Sequence, residues 1–484
     1  MKRKAVEVSE KRLLPAEKAQ FREAKAVEVK NFIAAEAFKS LPPHLQPSAD
    51  QAVGMRWILT WKQKEDGTKK AKARAVLLGY QDPSYEHRAT TSPVMSRQTR
   101  QMFLQYAAWK RWVIQKGDVS GAFLQGREYP DQLYCIPCPE ILEAMNLPPG
   151  TVTQLMKACY GLVDAPLEWY KSAWNQILDA IRTKFKWGDW EQGTFTQCYA
   201  NEIKEIPLCA TRRRQDDGAV TEWEKTQLRT LLGALSWTAQ QVAPQLSAEV
   251  SLLLSETSQG TVQTIKKAKA LLLQAKARHN HKMKIHQFNP QTELALYAWV
   301  DAASQNRNKG GSTQGIFLGM APLELSRREV TDVTPISWHS SKIDRACRSP
   351  GAAEVQAACN GEDILFYARY QWSEMLYGQV DLKDPTTTVR RTAGYLITDS
   401  RNVYDKLNTE VLVIKGAEKR ANIELLSVKA AQIDTNLEIR WVHSEAQLAN
   451  GLTKAGISRE FELYYKMNAR WRIVEDPNMM SARL

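Results

Sequence analysis

The chain has 484 residues, of which 43% are hydrophobic and 25% are charged, so it can bury an ordinary globular core of about two to four domains. Its 66 Lys and Arg residues exceed its 53 Asp and Glu residues, and the net charge of +13 suits a polyanionic partner without identifying one. Seven scattered cysteines exclude a disulfide scaffold, and the lack of an apolar leader or long apolar run excludes secretion and membrane spanning. We therefore expect an intracellular protein, cytoplasmic or nuclear.

A charged segment over residues 1–50 opens the chain. Its charged residues and Ala follow a loose helical period that ends at two consecutive prolines, which stop a helix because Pro lacks an N–H donor. The next region, 51–175, begins with strand patterns over 57–61 and 73–80 around a turn that contains Gly67. The sequence therefore predicts a charged arm followed by a β-hairpin.

The rest of the 51–175 region is predicted to mix helices and strands. Residues 98–109 space their apolar side chains as a helix does, and 111–117 form a strand pattern that places Asp118 at its end. We also expect a short helix over 155–159. A carboxylate at a strand end is a candidate for chemistry.

The region 176–290 is predicted to be mainly helical, with clear helical patterns over 222–239 and 261–277. The second helix is strongly basic. Its basic face is either a solvated surface or a stripe along a phosphate backbone, and the salt dependence of nucleic-acid binding would separate these roles. The lysines concerned include Lys266, Lys267 and Lys269.

Strand and helix patterns alternate over 291–470, which predicts an α/β domain before a short tail at 471–484. Asp301 and Asp399 each end a strand pattern, and Glu354 lies in a helix pattern. Carboxylate oxygens are the ligands that Mg²⁺ or Mn²⁺ takes, so three converging acids suit phosphodiester hydrolysis by two metal ions. Isolated acids are more often helix caps or turn residues, so the surrounding motifs must decide.

Several motifs follow one another in a characteristic order. They are KARAVLLGYQ at 72–81, TSPV at 91–94, GDVSGAFLQG at 117–126, ACYGLVDAP at 158–166 and LLGALSW at 231–237. Their order resembles the Pol polyprotein of copia-type retrotransposons, from the polymerase through the region that connects it to RNase H. The resemblance covers about four-fifths of the chain.

The resemblance implies polymerase roles for residues in the first half of the chain. Asp118 matches the first metal-binding aspartate of the palm. Tyr160 and Gly161 match residues that position the template and the incoming nucleotide, and Arg74 lies in a matching strand expected to contact nucleic acid.

The second aspartate motif of the polymerase has no counterpart. The family places an x-Asp-Asp motif on a palm hairpin, where it completes a two-metal clamp. Here the only Asp-Asp pair, Asp216 and Asp217, follows three arginines in a predicted polar loop. An internal deletion in the palm, or a gene model that skipped an exon, explains this, and we expect DNA polymerisation to be lost.

In the second half, the resemblance implies an RNase H centre. Asp301, Glu354 and Asp399 match its first three acids, whereas Asn450 replaces the fourth acid with a neutral and weaker ligand. His443 is either a proton shuttle near product release or a surface residue at a strand end.

These observations favour an α/β (α+β) fold in which a truncated reverse transcriptase fingers/palm fragment precedes an RNase H-like α/β domain. The expected partners are an RNA template and an RNA–DNA hybrid, and the expected cofactor is Mg²⁺ or Mn²⁺. Residual cleavage of the hybrid's RNA strand is the expected activity. The alternative is a non-catalytic nucleic-acid-binding module or an inert pseudogene product.

Overall fold

The structure is a computed structural model whose chain divides into two compact units. The N-terminal unit comprises Met1–Val94 and Gln115–Trp190, and the C-terminal unit comprises Met95–Ile114 and Glu191–Leu484. The residues that the structure describes are 7–63, 68–114, 121–172, 198–278, 282–410 and 419–475.

Helices and strands alternate along both units, so the expected mixed α/β fold is confirmed. The strands are β1 Phe38–Ser40, β2 Val53–Gln63, β3 Lys69–Leu77, β4 Tyr134–Ile136, β5 Thr153–Leu155, β6 Leu294–Ala303, β7 Thr313–Pro322, β8 Thr331–Asp332, β9 Thr334–Lys342, β10 Gly394–Thr398, β11 Leu437–Trp441 and β12 Arg470–Trp471. The helices are α1 Pro15–Ala34, α2 Arg97–Trp109, α3 Pro139–Ala144, α4 Ala210–Arg213, α5 Glu222–Gln241, α6 Ser247–Glu256, α7 Val262–Ala277, α8 Pro350–Tyr377, α9 Pro385–Val389, α10 Arg401–Asn408, α11 Lys419–Thr435 and α12 Arg459–Lys466.

A five-stranded sheet with the strand order β1-β5-β4-β2-β3 forms the N-terminal unit. β2 and β3 pair antiparallel with Met55 opposite Leu77, which confirms the predicted hairpin. The charged segment at the start of the chain contains α1, and this helix buries Phe21 and Phe32 in the unit's apolar clusters. Burial of these two aromatic rings removes a large apolar area from water and fixes α1 to its unit.

A second five-stranded sheet, with the order β11-β10-β6-β7-β9, forms the C-terminal unit. β7 pairs antiparallel with β6 and β9, whereas β10 pairs parallel with β6 and β11. The parallel register places Val300 of β6 opposite Thr398 of β10. The next residues along the two strands, Asp301 and Asp399, therefore reach the same edge of the sheet.

Helix α8 crosses this sheet and approaches β6 closely at Gly361. A Cβ atom on Gly361 would lie 2.2 Å from Val300 Cγ1, so a larger residue would push the helix from the strand. The helix begins at Pro350, and the Ser349 side chain accepts a hydrogen bond from the Ala352 N–H at 3.0 Å. Glu354 follows in the second turn of the helix, beside the strand edge that carries the two aspartates.

Helix α2 is part of the C-terminal unit, although the motifs on either side of it are in the N-terminal unit. Met102 and Trp109 of α2 are buried in the same apolar cluster as Leu296 and Trp372. The predicted helix is confirmed, but its sequence does not indicate that it completes the core of the C-terminal unit.

Two predictions of local structure differ from the fold. The expected helix over 155–159 is wrong, because β5 ends at Leu155 and the next residues are irregular. Strand pairing with β1 and β4 fixes the backbone of β5, and these partners are distant in sequence. Residues 111–114 contain no strand, and the remainder of the predicted strand, with Asp118, lies outside the described residues.

Candidate metal centre

Three carboxylates from separate elements converge in the C-terminal unit. Asp301 lies near the end of β6, Asp399 follows β10 and Glu354 projects from α8. Ligand oxygen atoms of the three side chains all lie within 4.8 Å of one another. The parallel pairing of β6 and β10 brings the two aspartates together, and the close approach at Gly361 brings the glutamate to them.

The electrostatics of this cluster are those of an uncompensated set of acids. Burial raises the pKa of Asp301, which is 3% exposed. Burial and the charges of the two aspartates raise the pKa of Glu354 to about 9. Burial and the charge of Asp301 raise the pKa of Asp399 to about 7. Glu354 Oε2 is buried and has no hydrogen-bond partner in the described part of the chain. A divalent cation fits this donor set, because it would neutralise the repulsion and use the unpaired oxygen.

Neighbouring polar groups hold the cluster in place. The Thr453 hydroxyl donates to Asp301 Oδ2, and the Gln447 side chain is fully buried between the strands. Gln447 Nε2 donates to the carbonyl oxygen of Val300 at 2.9 Å. Thr453 and Gln447 belong to the motif around position 450, but only the fold reveals that they support Asp301 and the β6 backbone. Such supporting contacts fix the orientation of metal-binding side chains.

Asn450 lies beside this centre as a well-bonded amide. Its Nδ2 donates to the Ser444 carbonyl oxygen at 2.6 Å, and its Oδ1 accepts from Lys454 Nζ at 2.8 Å. The Lys454 charge acts to lower the pKa of Glu354 and Asp399, although burial outweighs it. His443 instead starts a short turn, where its Nδ1 accepts from the Glu445 N–H at 3.3 Å. Its role as a proton shuttle stays a prediction.

Three of the sequence-predicted residues of the N-terminal unit, Arg74, Tyr160 and Gly161, lie together at β3. The Arg74 guanidinium lies 5.8 Å from the centre of the Tyr160 ring, and Leu77 N–H donates to the Tyr160 carbonyl oxygen at 2.8 Å. Gly161 has φ +101° and a Cβ there would lie 2.0 Å from Leu77 O. Close packing against β3 is thus sufficient to require glycine at this position. Asp118, the metal ligand expected from the resemblance, lies outside the described residues.

The lysine stripe on α7 is paired with acids. Lys267 Nζ lies 3.6 Å from Glu256 Oε1, Lys269 Nζ lies 3.1 Å from Glu205 Oε2, and Lys266 pairs with Asp216. These ion pairs offset much of the positive charge that the lysines give to this face of the helix. Asp216 and Asp217 lie in a loop, as the sequence predicted.

The C-terminal unit is a mixed α/β unit, with three acids gathered where β6, β10 and α8 meet. Residues 44–206 match the family described as reverse transcriptase (RNA-dependent DNA polymerase). The resemblance to copia-type Pol polyproteins is therefore confirmed.

Two curated relatives support this assignment. The chain is 35% identical over 161 residues to the retrovirus-related Pol polyprotein from transposon RE1 of Arabidopsis thaliana, covering 33% of this chain and 11% of the relative. It is 35% identical over 153 residues to the RE2 polyprotein of the same plant, covering 31% of this chain and 10% of the relative. The chain thus spans about a tenth of the length of these relatives.

Solved structures resemble parts of the chain at low sequence identity. The LC11-RNase H1 complex with an RNA/DNA hybrid has 13% identity and a TM-score of 0.22, covering 33% of this chain and 93% of that one. The foamy viral protease-reverse transcriptase in complex with dsDNA has 10% identity and a TM-score of 0.44, covering 88% of this chain and 83% of that one. In the described residues, no helix is both long and apolar enough to cross a bilayer.

Proposed function

We propose that this retrotransposon-derived chain binds nucleic acid and cleaves the RNA strand of an RNA–DNA hybrid in its C-terminal unit, and that it does not polymerise DNA. The observation that carries the proposal is the convergence of Asp301, Glu354 and Asp399 within 4.8 Å. An intracellular location, cytoplasmic or nuclear, follows from the relationship to transposon polyproteins.

Asp301, Glu354 and Asp399 would hold Mg²⁺ or Mn²⁺. When bound, such an ion supplies Lewis acidity and lowers the pKa of a coordinated water, which is the chemistry that phosphodiester hydrolysis requires. Thr453 fixes one oxygen of Asp301 by hydrogen bonding, so that oxygen keeps its orientation toward the centre. Lys454 adds a positive charge that Asn450 holds in place.

The loss of polymerisation is proposed from the missing second aspartate motif. Asp216 pairs with Lys266 in a loop and has no strand hairpin around it in the described residues. A polymerase centre needs carboxylates that clamp two metal ions across the reacting phosphate. Primer extension on an RNA template should therefore give no product.

The test is cleavage of a hybrid whose RNA strand carries the label. The full chain should cut the RNA strand in Mg²⁺ or Mn²⁺, and Asp301→Asn should reduce the rate by about a thousandfold, because it removes a ligand charge from the centre. The matched control is Asp217→Asn, which makes the same chemical change on an exposed loop and should retain the rate.

Folded protein that leaves the RNA intact in both metals would refute the ribonuclease proposal. The remaining functions would then be a non-catalytic nucleic-acid-binding module or an inert product. Equal cleavage by the wild-type and Asp301→Asn proteins would assign the activity to a contaminant or to another site.

A further inference from the structure

A second polar cleft lies in the C-terminal unit, separate from the acidic cluster. It has a volume of about 320 Å³ and lies between β9 and the helices α5 and α6. Its polar lining includes Arg97, Gln240, Ser247, Ser251, Ser340 and Ser341. None of these residues matched the motifs that suggested a function from the sequence.

The cleft contains a cation without a counterion. Arg97 donates from its two terminal nitrogens to the carbonyl oxygens of Gln240 and Trp338, while its Nε is buried without a partner. The neighbouring Arg100 donates to Gln241 and also has a buried, unpartnered Nε. Among the residues that the structure describes, neither arginine forms an ion pair with a carboxylate. Burial and the charge of Arg100 lower the pKa of Arg97, as expected for a buried cation without an anion.

Two serine hydroxyls complete the donor set. Ser247 is 9% exposed, and its Oγ has no hydrogen-bond partner among the described residues. The Oγ of Ser340, on the opposite wall, is likewise buried and unpartnered. A buried hydroxyl without a partner is unfavourable, so a ligand that accepts hydrogen bonds from both serines and from Arg97 would remove three such costs.

The cleft is connected to the acidic cluster through hydrogen bonds. Arg307 donates to Ser251 Oγ in the cleft at 2.7 Å and to Thr313 Oγ1 at 2.8 Å. From Thr313 the chain of hydrogen bonds continues through Asn306 and Thr453 to Asp301.

The sheet sets the distance between the two sites. Asp301 pairs with Gly315, and Gly315 pairs with Ser340, so two strand spacings separate Ser340 from Asp301. Two spacings are on the order of 10 Å, close to the axial rise of about three nucleotides. Gly315 lies between Asp301 and Ser340, and a Cβ on Gly315 would meet Ala449 O at 2.7 Å. The segment that contains Ala449 therefore covers the sheet at Gly315 and separates the two sites.

We infer that this cleft binds a backbone phosphate of a polynucleotide, about three nucleotides from the phosphate at the acidic cluster. A phosphodiester carries a negative charge and would supply the counterion that Arg97 lacks. Its oxygens accept hydrogen bonds from an arginine and from hydroxyls. The inference rests on the proposed nucleic-acid function but not on cleavage, since it concerns binding alone.

Arg328 offers a matched control, because its charge is already paired. It is an arginine of the same unit, and its guanidinium lies 2.6 Å from Glu475 Oε2. If an unpaired cation is what binds phosphate, Arg97→Gln should weaken binding, whereas Arg328→Gln should change it little. Ser247→Ala and Ser340→Ala remove unpartnered hydroxyls and cost the protein no internal hydrogen bond.

The experiment measures binding of the full chain to a labelled RNA–DNA hybrid by fluorescence anisotropy over a range of NaCl concentrations, in EDTA so that no cleavage occurs. Arg97→Gln should weaken binding about tenfold and lower the slope of log affinity against log salt by about one. Each serine variant should weaken binding about threefold with the slope unchanged. Arg328→Gln should match the wild type.

A second arm uses inorganic phosphate alone and follows the thermal unfolding of the wild type and Ser340→Ala. Stabilisation of the wild type by phosphate, together with the hybrid result, supports the inference. If phosphate stabilises the wild type but the Arg97 and serine variants bind the hybrid normally, the cleft is a site for free phosphate, and the inference is overturned. It is equally overturned if Arg328→Gln lowers the salt slope as much as Arg97→Gln. A chain that binds as expected but does not cleave would refute only the ribonuclease proposal.

Discussion

The two units of this chain treat buried charge differently. In the N-terminal unit, Arg88 contacts the buried Asp82 and Asp164, and Tyr129 also donates to Asp164. In the C-terminal unit, Asp301, Glu354 and Asp399 face one another, and burial raises the pKa of each. Acids beside an arginine stay ionised without a ligand, whereas a cluster of like charges favours protonation or a bound cation.

The family match and the candidate metal centre lie in different parts of the chain. Most of the segment that matches the reverse transcriptase family, 44–206, belongs to the N-terminal unit. In the parts of the chain that the structure describes, the group of three acids that could hold a metal ion lies in the C-terminal unit. Sequence similarity and candidate chemistry are therefore found in different units.

The largest effect on stability is expected from Gly161→Ala in the N-terminal unit. The new Cβ would lie 2.0 Å from Leu77 O at a φ of +101°, so overpacking and backbone strain act together. We expect a loss of about 3 kcal/mol or more in the free energy of unfolding of that unit. Limited proteolysis with mass-spectrometric mapping should show faster cleavage within Met1–Val94 and unchanged resistance in the C-terminal unit.

Gly150→Ala is the matched control for that variant. Gly150 also has a positive φ, +81°, but a Cβ there meets nothing within 4 Å. This variant should cost only about 1 kcal/mol, because it adds strain without a collision. Equal protease sensitivity in the two variants would contradict the assigned packing role of Gly161.

The next largest effect concerns pH. We expect the stability of the two units to depend on pH in different ways. The acids of the C-terminal cluster have folded-state pKa values above their unfolded values, up to about 9 for Glu354 and about 7 for Asp399. Between about pH 4 and pH 9 the folded state therefore binds more protons than the unfolded state, and its stability falls as pH rises. In the N-terminal unit, Glu140 and Glu168 have lowered pKa values, so their contribution is lost only when pH falls into the acid range.

Thermal unfolding in EDTA from pH 5 to pH 9 checks this expectation. The transition of the C-terminal unit should lose on the order of 2 kcal/mol, or about 5 °C, and millimolar Mg²⁺ should restore it by binding the folded state. Asp399→Asn should flatten the dependence, because it removes one of the repelling charges. A C-terminal transition that is independent of pH and Mg²⁺ would contradict the assigned electrostatics.

The three acids of the candidate metal centre could be predicted from the sequence, whereas the cleft at Arg97 could not. Strand and helix patterns made Asp301, Glu354 and Asp399 candidates, and the resemblance to copia-type Pol polyproteins selected them from the other acids. Arg97, Gln240 and Trp338 meet only through tertiary contacts among distant segments.

Local patterns also mislead where tertiary partners decide. The helical pattern of α7 displays Lys269 but does not show that Glu205 pairs with it. The predicted helix over 155–159 failed because pairing with β1 and β4 overrides the local preference of β5.

The smallest and most specific effect is expected from Asn450→Asp, which would restore a fourth carboxylate to the C-terminal cluster. Lys454 Nζ already lies 2.8 Å from the side-chain oxygen, and a cavity of about 230 Å³ lies beside it. The added charge should lower the Mg²⁺ concentration for half-maximal thermal stabilisation by about threefold to tenfold. The gain is limited because the aspartate loses donation to the Ser444 carbonyl oxygen and lies near Glu460.

Asn408→Asp, on the exposed end of α10, should leave the Mg²⁺ response unchanged. If Asn450→Asp weakens the response to Mg²⁺, then the contacts with Ser444 and Glu460 hold position 450 away from the metal, and the three acids alone form the centre.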